Sequence, residues 1–337
     1  MNKLYALLPK VELHCHLDGS VDRETLKKIY AHNNEQLPFS DRELDKLMIA
    51  PMKCKDLSEY LNAFPIVTKA LRSKEALKLA LYSLIKQAEK ENLLYLEIRF
   101  SPWHLSTDTF SMEEIVDAVL QAWDEISRHT FLEVGFILCM MRGREEVINK
   151  EVLSLAKKYK NQGIVGIDLA GNELKYPTID YRDLFDIACN FQLPFTIHAG
   201  ETGNWQNIED AINFGAQRIG HGLACIYNEW TLNAVIEKQV LLELCPICNI
   251  QTGAIPSWGK YPIPIFKRRG VRYCINTDNR TVSNTTLANE YQQVLTNVSQ
   301  LSLSELKKLN VQAMKYSFAS KQTIDKVSEQ ILNYKIE

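Results

Sequence analysis

The chain lacks any apolar run long enough to cross a bilayer, which excludes a helical membrane protein. It also lacks a basic surplus: 39 Lys and Arg stand against 41 Asp and Glu, and the only dense cationic run is Lys267-Arg268-Arg269. With no electrostatic footprint for a polyanion, nucleic acid is not an expected partner. Near the N-terminus, the apolar stretch 4–8 is cut off by Pro9-Lys10 and is too short for a signal-peptide core. The triplet Asn284-Thr285-Thr286 therefore carries no weight as a glycosylation acceptor. Eight cysteines lie scattered in apolar segments, as at Cys139, Cys189 and Cys274. That pattern predicts buried, reduced thiols in a cytoplasmic protein, not a disulfide framework. A Gly/Ser/Pro-rich linker and an internal repeat are missing too, so 337 residues with 46% hydrophobic content predict one large soluble domain.

What is present is an alternation. Short apolar runs occupy 11–17, 94–100, 134–141, 164–170, 194–198, 218–221, 240–244 and 271–277. Most show no sustained polar alternation, as expected of strands buried on both faces. Helical patterns separate them, at 145–159, 181–190, 207–214 and 229–237, and capping boxes at Ser111/Glu114 and Ser302/Glu305 open two more. Repeated strand–helix alternation predicts a parallel sheet with right-handed crossovers. Eight strands predict a closed (β/α)8 TIM barrel; an open doubly wound sheet is the alternative, weakened by the absence of G-x-G-x-x-G after the first strand. The first and second strands are unusually far apart, with helical patterns at 23–31, 57–72 and 75–90. This helical insertion, about 20–90, falls on the first βα connection and is expected to cap the catalytic mouth.

In Val11-Glu12-Leu13-His14-Cys15-His16-Leu17-Asp18-Gly19, residues two apart share a strand face, so His14 and His16 project together as two ligands of one metal ion would. Two unrelated strand histidines are the alternative. Strand ends in such barrels carry function. They offer Asp168-Leu169-Ala170-Gly171, His198-Ala199-Gly200-Glu201, Gly220-His221-Gly222 and Asn276-Thr277-Asp278-Asn279. Four of the seven histidines thus fall at strand ends facing one mouth. His221 between glycines could still be a turn residue, and Asp278 a helix N-cap.

These segments, with Glu243-Leu244-Cys245-Pro246, occur in the order found in the adenosine/AMP deaminase family of metal-dependent amidohydrolases, which the chain resembles over residues 11 to 279. The family fold is a (β/α)8 barrel. The resemblance implies one Zn2+ per chain, with His14, His16, His198 and Asp278 as ligands. Such an ion lowers the pKa of bound water and supplies hydroxide. His221 matches the residue that orients or deprotonates this water, and Glu201 the acid that protonates purine N1 so that C6 becomes electrophilic. Gly171 matches a backbone donor to purine N3, and Asp18 and His16 match contacts to the ribose 5′-hydroxyl. Leu57, Tyr60, Leu61 and Phe64, a helical stripe that could equally be core, resemble the family's lid, and Met141 a pocket wall. The implied reaction is deamination of adenosine and 2′-deoxyadenosine to inosine and 2′-deoxyinosine. Alternatives are a deaminase of adenine, AMP or another aminopurine, and a non-catalytic zinc-binding homologue. AMP would need basic residues near the ribose end, where Asp18 sits. The expected partner is a small purine nucleoside; the sequence leaves oligomeric state open.

The chain departs from the family pattern at Asp278-Asn279-Arg280, where a second aspartate and a proline are usual. The second aspartate is thought to donate to purine N7, which requires its proton; an asparagine amide donates without one. Arg280 is expected to pair with an acid near the mouth, and Cys15 to sit in the core. Cys245-Pro246-Ile247-Cys248 has no helix start in its sequence pattern, which argues against a redox pair. The fourth strand ends without the lysine of two-metal amidohydrolases, favouring a single metal. His32, His104 and His129 are assigned surface or packing roles, with a mouth role open for His104.

Overall fold

The computed structural model describes residues 7–298 and 301–335. Of the stretch 4–8, residues 4–6 lie outside the described residues; Leu8 is buried. Among the described residues eight strands are formed: β1 (Lys10–His16), β2 (Leu93–Phe100), β3 (Glu133–Met141), β4 (Ile164–Ala170), β5 (Thr196–Ala199), β6 (Arg218–His221), β7 (Leu241–Leu244) and β8 (Arg272–Ile275). They pair in chain order as two parallel four-stranded sheets. Two seams join these into a closed barrel. At one, Ile167 N–H donates to Pro194 O at 3.0 Å; Pro194 has no N–H to give, and β5 begins two residues later. At the other, His16 N–H donates to Asp278 O (2.7 Å) and Asp278 N–H donates to His14 O (3.0 Å). The fold is a (β/α)8 barrel, closed through the backbone of residues that the sequence puts at the metal site.

The outer helices bury one stripe each. Helix Lys74–Lys90, capped by Ser73 Oγ, turns Leu77, Ala80, Leu81, Leu84, Ile85 and Ala88 inward at i, i+3, i+4 spacing. Each leucine so buried stabilises by about 1.5–3 kcal/mol, and Leu84→Ala would cost about 2–5 kcal/mol with its cavity. Both expected capping boxes are present. Helices Leu303–Tyr316 and Lys321–Asn333 close the N-terminal end of the barrel, where Ala313, Met314, Val327 and Ile331 pack on Val11, Leu13 and Leu241.

The connection after β1 carries helices Arg23–His32, Asp41–Met48, Leu57–Leu61 and Pro65–Ala70 ahead of Lys74–Lys90. The single helical pattern expected over 57–72 is two short helices, because Pro65 cannot donate to the preceding turn and instead opens a new helix at its first position. Helix Asp41–Met48 was not expected; it buries only Leu44 and Met48. The cap is tied down by Ala50 N–H to Val282 O (2.9 Å) and Cys54 N–H to Gln251 O (2.8 Å). All eight cysteines are free thiols, but Cys189 is exposed, contrary to the expectation of burial, because it lies on the outer face of helix Arg182–Asn190.

The barrel interior is charged. Arg99 donates to Asp168 (2.9 Å) and to Glu243 (2.9 Å), and Arg218 pairs with Glu97 (2.6 Å) and Glu243 (2.7 Å). All five are fully buried. Deleting one partner of such a network leaves an uncompensated charge and costs about 3–5 kcal/mol.

Candidate active site

The C-terminal ends of the strands open into one pocket of about 720 Å³. His16 and Asp18 enter it from β1, His198 and Glu201 from β5, His221 from β6, and Asp278 and Asn279 from beyond β8. Gly171 lines it after β4 and Met141 at the end of β3; Leu57, Tyr60, Leu61 and Phe64 form the wall under the cap. His14 lies deeper, fully buried behind His16. His221 and Asp278 both hold positive φ (62° each) without being glycine. Neither is the ordinary turn or cap residue that the sequence left open: His221 ends β6, and no helix begins at Asp278. Such strain collects at functional sites and costs about 1–3 kcal/mol per residue.

One ligand atom each from His14, His16, His198 and Asp278 lies within 4.8 Å of all the others. Asp278 Oδ1 is 3.2 Å from His14 Nε2 and 3.4 Å from His16 Nε2, and His16 Nε2 is 3.4 Å from His198 Nε2. Ligand atoms arranged tetrahedrally at about 2.0–2.1 Å from an ion stand about 3.3 Å apart. The tautomers fit as well. His14 Nδ1 donates to Glu243 (2.8 Å) and His198 Nδ1 to Asp168 (2.8 Å), leaving both Nε2 lone pairs aimed at the cluster. His14 Nε2 is buried with no hydrogen-bond partner. These residues fit a small divalent metal ion.

Glu201 is 7% exposed, and its Oε2 is 3.7 Å from His221 Nε2. Burial, then the Asp278 and Glu173 carboxylates, push its acid well above the usual range, which favours the protonated form. Burial drives His221 the other way and keeps it neutral. Asp18 is raised to about 6, again mainly by burial. Glu173 pins the loop that carries Glu201: it accepts from Gly200 N–H (2.8 Å), Thr202 N–H (2.7 Å) and Asn207 Nδ2 (2.9 Å). Asn279 Nδ2 donates to Tyr60 Oη (3.1 Å), whose hydroxyl meets Ser283 Oγ (2.7 Å). Asn279 Oδ1 is buried and unpartnered against Gly19, where a Cβ would stand 1.9 Å away. Any larger residue at position 19 would displace the amide.

The family profile described as Adenosine deaminase matches residues 9–334. The chain belongs to the adenosine deaminase family. It is 40% identical over 330 residues to the adenosine deaminase of Enterococcus faecalis, covering 98% of this chain and 96% of that one. It is 35% identical over 340 residues to the adenosine deaminase of Clostridium kluyveri (99% and 96%). Among solved structures, the adenine deaminase of Arthrobacter aurescens superposes with TM-score 0.88 at 22% identity (96% and 98% covered), a likeness of fold. An arabidopsis N6-mAMP deaminase superposes with TM-score 0.88 at 25% identity (99% and 100%).

Several residues of this family member escaped the sequence reading. Asp168 and Glu243 stood in the quoted motifs, yet only the structure shows them accepting from the metal-site imidazoles. Their signal was a carboxylate inside an otherwise apolar strand. Arg280 does not reach the mouth as expected: it is buried behind the barrel wall, paired with Glu12 (2.5 Å) and Glu91. The expectation of no helix start at Cys245-Pro246-Ile247-Cys248 is also corrected, since helix Pro246–Gln251 begins there, with proline at its first position. Burial nonetheless pushes both thiols well above their usual range, the opposite of activation. His104 is half-buried at the pocket rim, lowered to about 4 by burial and Arg144; His32 and His129 are exposed.

Proposed function

We propose that this adenosine deaminase family member hydrolyses adenosine and 2′-deoxyadenosine to inosine and 2′-deoxyinosine, releasing ammonia. The observation that carries this reading is the placement, in one pocket, of the buried carboxyl group of Glu201 beside a three-histidine, one-aspartate cluster. Imidazole nitrogens with one carboxylate favour Zn2+, one per chain. When bound, the ion supplies the charge that makes water a nucleophile near neutral pH.

The other contributions come from the chain itself. Glu201 gives its proton to purine N1, which draws electrons from C6 and opens that carbon to attack. His221 faces the attacking oxygen from the side of Glu201. Gly171 offers its N–H to N3, and Asn279 an amide hydrogen to N7 at no cost in protonation. Asp18 and His16 meet the ribose. Leu57, Tyr60, Leu61 and Phe64 exclude water from above. The two protons of the attacking water complete the balance: one leaves on the amino group as the C6–N bond breaks and ammonia departs, the other restores the Glu201 carboxylate, and C6 becomes a carbonyl. We further read the chain as one domain, with residues 20–90 as its cap, acting in the cytoplasm on free purine nucleosides. No helix among the described residues is long and apolar enough to cross a membrane.

A second reading has one observation in its favour. Lys69, Arg72 and Arg144 line the outer part of the same pocket, cations that the sequence did not place there, and a 5′-phosphate would find charge partners among them. An arabidopsis structure at 25% identity and TM-score 0.87 holds GMP. Ammonia release from adenosine, 2′-deoxyadenosine, adenine and AMP, measured in parallel, separates the readings. Turnover of the two nucleosides alone is expected; turnover of AMP or adenine alone would keep the chemistry and replace the substrate.

A further inference from the structure

His221 is held from behind by a side chain that no motif singles out. Asn249, fully buried on helix Pro246–Gln251, places its Nδ2 3.0 Å from His221 Nδ1. The other end of the amide fixes its orientation. Asn249 Oδ1 accepts from the backbone N–H of Cys245 (3.2 Å) and from Tyr261 Oη (2.9 Å). A backbone N–H can only donate. Turning the amide over would set its NH2 against that N–H in a dry interior and leave both donors without an acceptor. The NH2 therefore faces His221, and Nδ1 can only accept.

We infer that Asn249 is a positioning residue that locks His221 in its Nε2–H tautomer. His221 then donates a hydrogen bond into the reaction space and does not act as the base. This inference rests on the deaminase reading for its catalytic meaning, but its structural content stands apart from it. The only lone pair of a neutral Nε2–H imidazole is on Nδ1, and Asn249 covers that atom. Nε2 points to the side of the pocket where Glu201 and Asp278 lie, 3.7 Å from Glu201 Oε2. From there its N–H can hold the attacking oxygen in line with C6 and stabilise the charge left on that oxygen as the adduct forms. The proton that water loses goes instead to the Glu201 carboxylate, which has given its own to N1 and stands on the same side of the pocket. Tyr261, 3% exposed, acts one step further back by holding Asn249 Oδ1.

The test is a long-range 15N–1H spectrum of the zinc-loaded full chain labelled at histidine nitrogen, with Asn249→Asp and Tyr261→Phe beside it. In the wild type, His221 should show an unprotonated, pyridine-like Nδ1 and a protonated, pyrrole-like Nε2. Asn249→Asp preserves the shape and both contacts to Oδ1 but presents only an acceptor to His221. It should move the proton to Nδ1 and lower kcat by roughly 10²–10³-fold, the scale of losing one donor to a developing oxyanion, with metal content and KM largely kept. Tyr261→Phe leaves the Cys245 N–H in place and should retain the wild-type tautomer. A proton on Nδ1 in the wild type would overturn the inference. So would an Asn249→Asp variant that reverses the tautomer yet turns over at the wild-type rate. The spectrum is read without substrate, so failure of the adenosine assignment would leave it interpretable.

Discussion

Replacing Glu243 with glutamine keeps the shape of the side chain and removes its charge. In the wild type each carboxylate oxygen receives two donors. Oε2 accepts from His14 Nδ1 (2.8 Å) and Arg99 (2.9 Å), and Oε1 from Arg218 (2.7 Å) and Thr196 Oγ1 (2.9 Å). Glutamine has one acceptor oxygen, so its NH2 must face one of these donor pairs. If it faces Arg218, that guanidinium loses half of its compensation; if it faces His14, the imidazole loses the partner that turns its Nε2 to the metal. Leaving a fully buried ion partly unpaired costs about 3–5 kcal/mol. At about 1.4 °C per kcal/mol for a chain of this size, Tm should fall by roughly 4–7 °C. Losing a group that orients a metal-bound histidine should weaken metal affinity about 10–100-fold. Thermal melting and competition with a chelator read the two effects separately. A Glu243→Gln variant with wild-type Tm and wild-type affinity would refute the argument that this carboxylate organises both the barrel interior and His14.

Glu201→Gln should keep its metal and lose about 10²–10⁴-fold in kcat, the usual share of a general acid. In its proposed role Glu201 acts when protonated, and its pKa is raised, so turnover should decline on the alkaline side as pH rises through that pKa; a rate rising steadily with pH would remove it from the acid role. Asn279→Asp should remain active with a new alkaline limb, because the carboxyl must carry a proton to donate to N7, and an unchanged pH–rate profile would count against the N7 contact. Arg280→Ala strands the buried Glu12 and Glu91 carboxylates and should destabilise by about 3–5 kcal/mol in denaturant unfolding; a loss below 1 kcal/mol would show that the pair is solvated.

The eight strands were legible because a barrel strand is covered on both sides and so reads as an unbroken apolar run. The cluster that could hold a metal was legible because period-two spacing puts His14 and His16 on one face, and the family motifs pointed to His198 and Asp278. What stayed hidden has a common cause. Arg99, Glu97, Glu243 and Arg218 are charges inside those same apolar runs, and only closure of the barrel shows that they point at one another. Asn249 lies in a short helix that begins at a proline directly after β7, too short for its periodicity to show. Helix Asp41–Met48 has only two buried apolar positions, although Ser40 and Glu43 form a capping box that could have announced it. Arg280 was expected at the mouth because its neighbours are there; the turn after Asn279 sends it to the opposite side of the wall, among the acids of the first strand and the first crossover.

In the proposed reaction one divalent ion, held by His14, His16, His198 and Asp278, and one acid, Glu201, together deaminate adenosine. The most direct measurement is inosine formation by chelator-stripped protein as Zn2+ is returned in known amounts. Activity is predicted to be absent from the stripped protein, to rise in proportion to added ion, and to level off at one ion per chain. Undiminished activity after stripping, or none at any zinc level with adenosine present, would contradict the account.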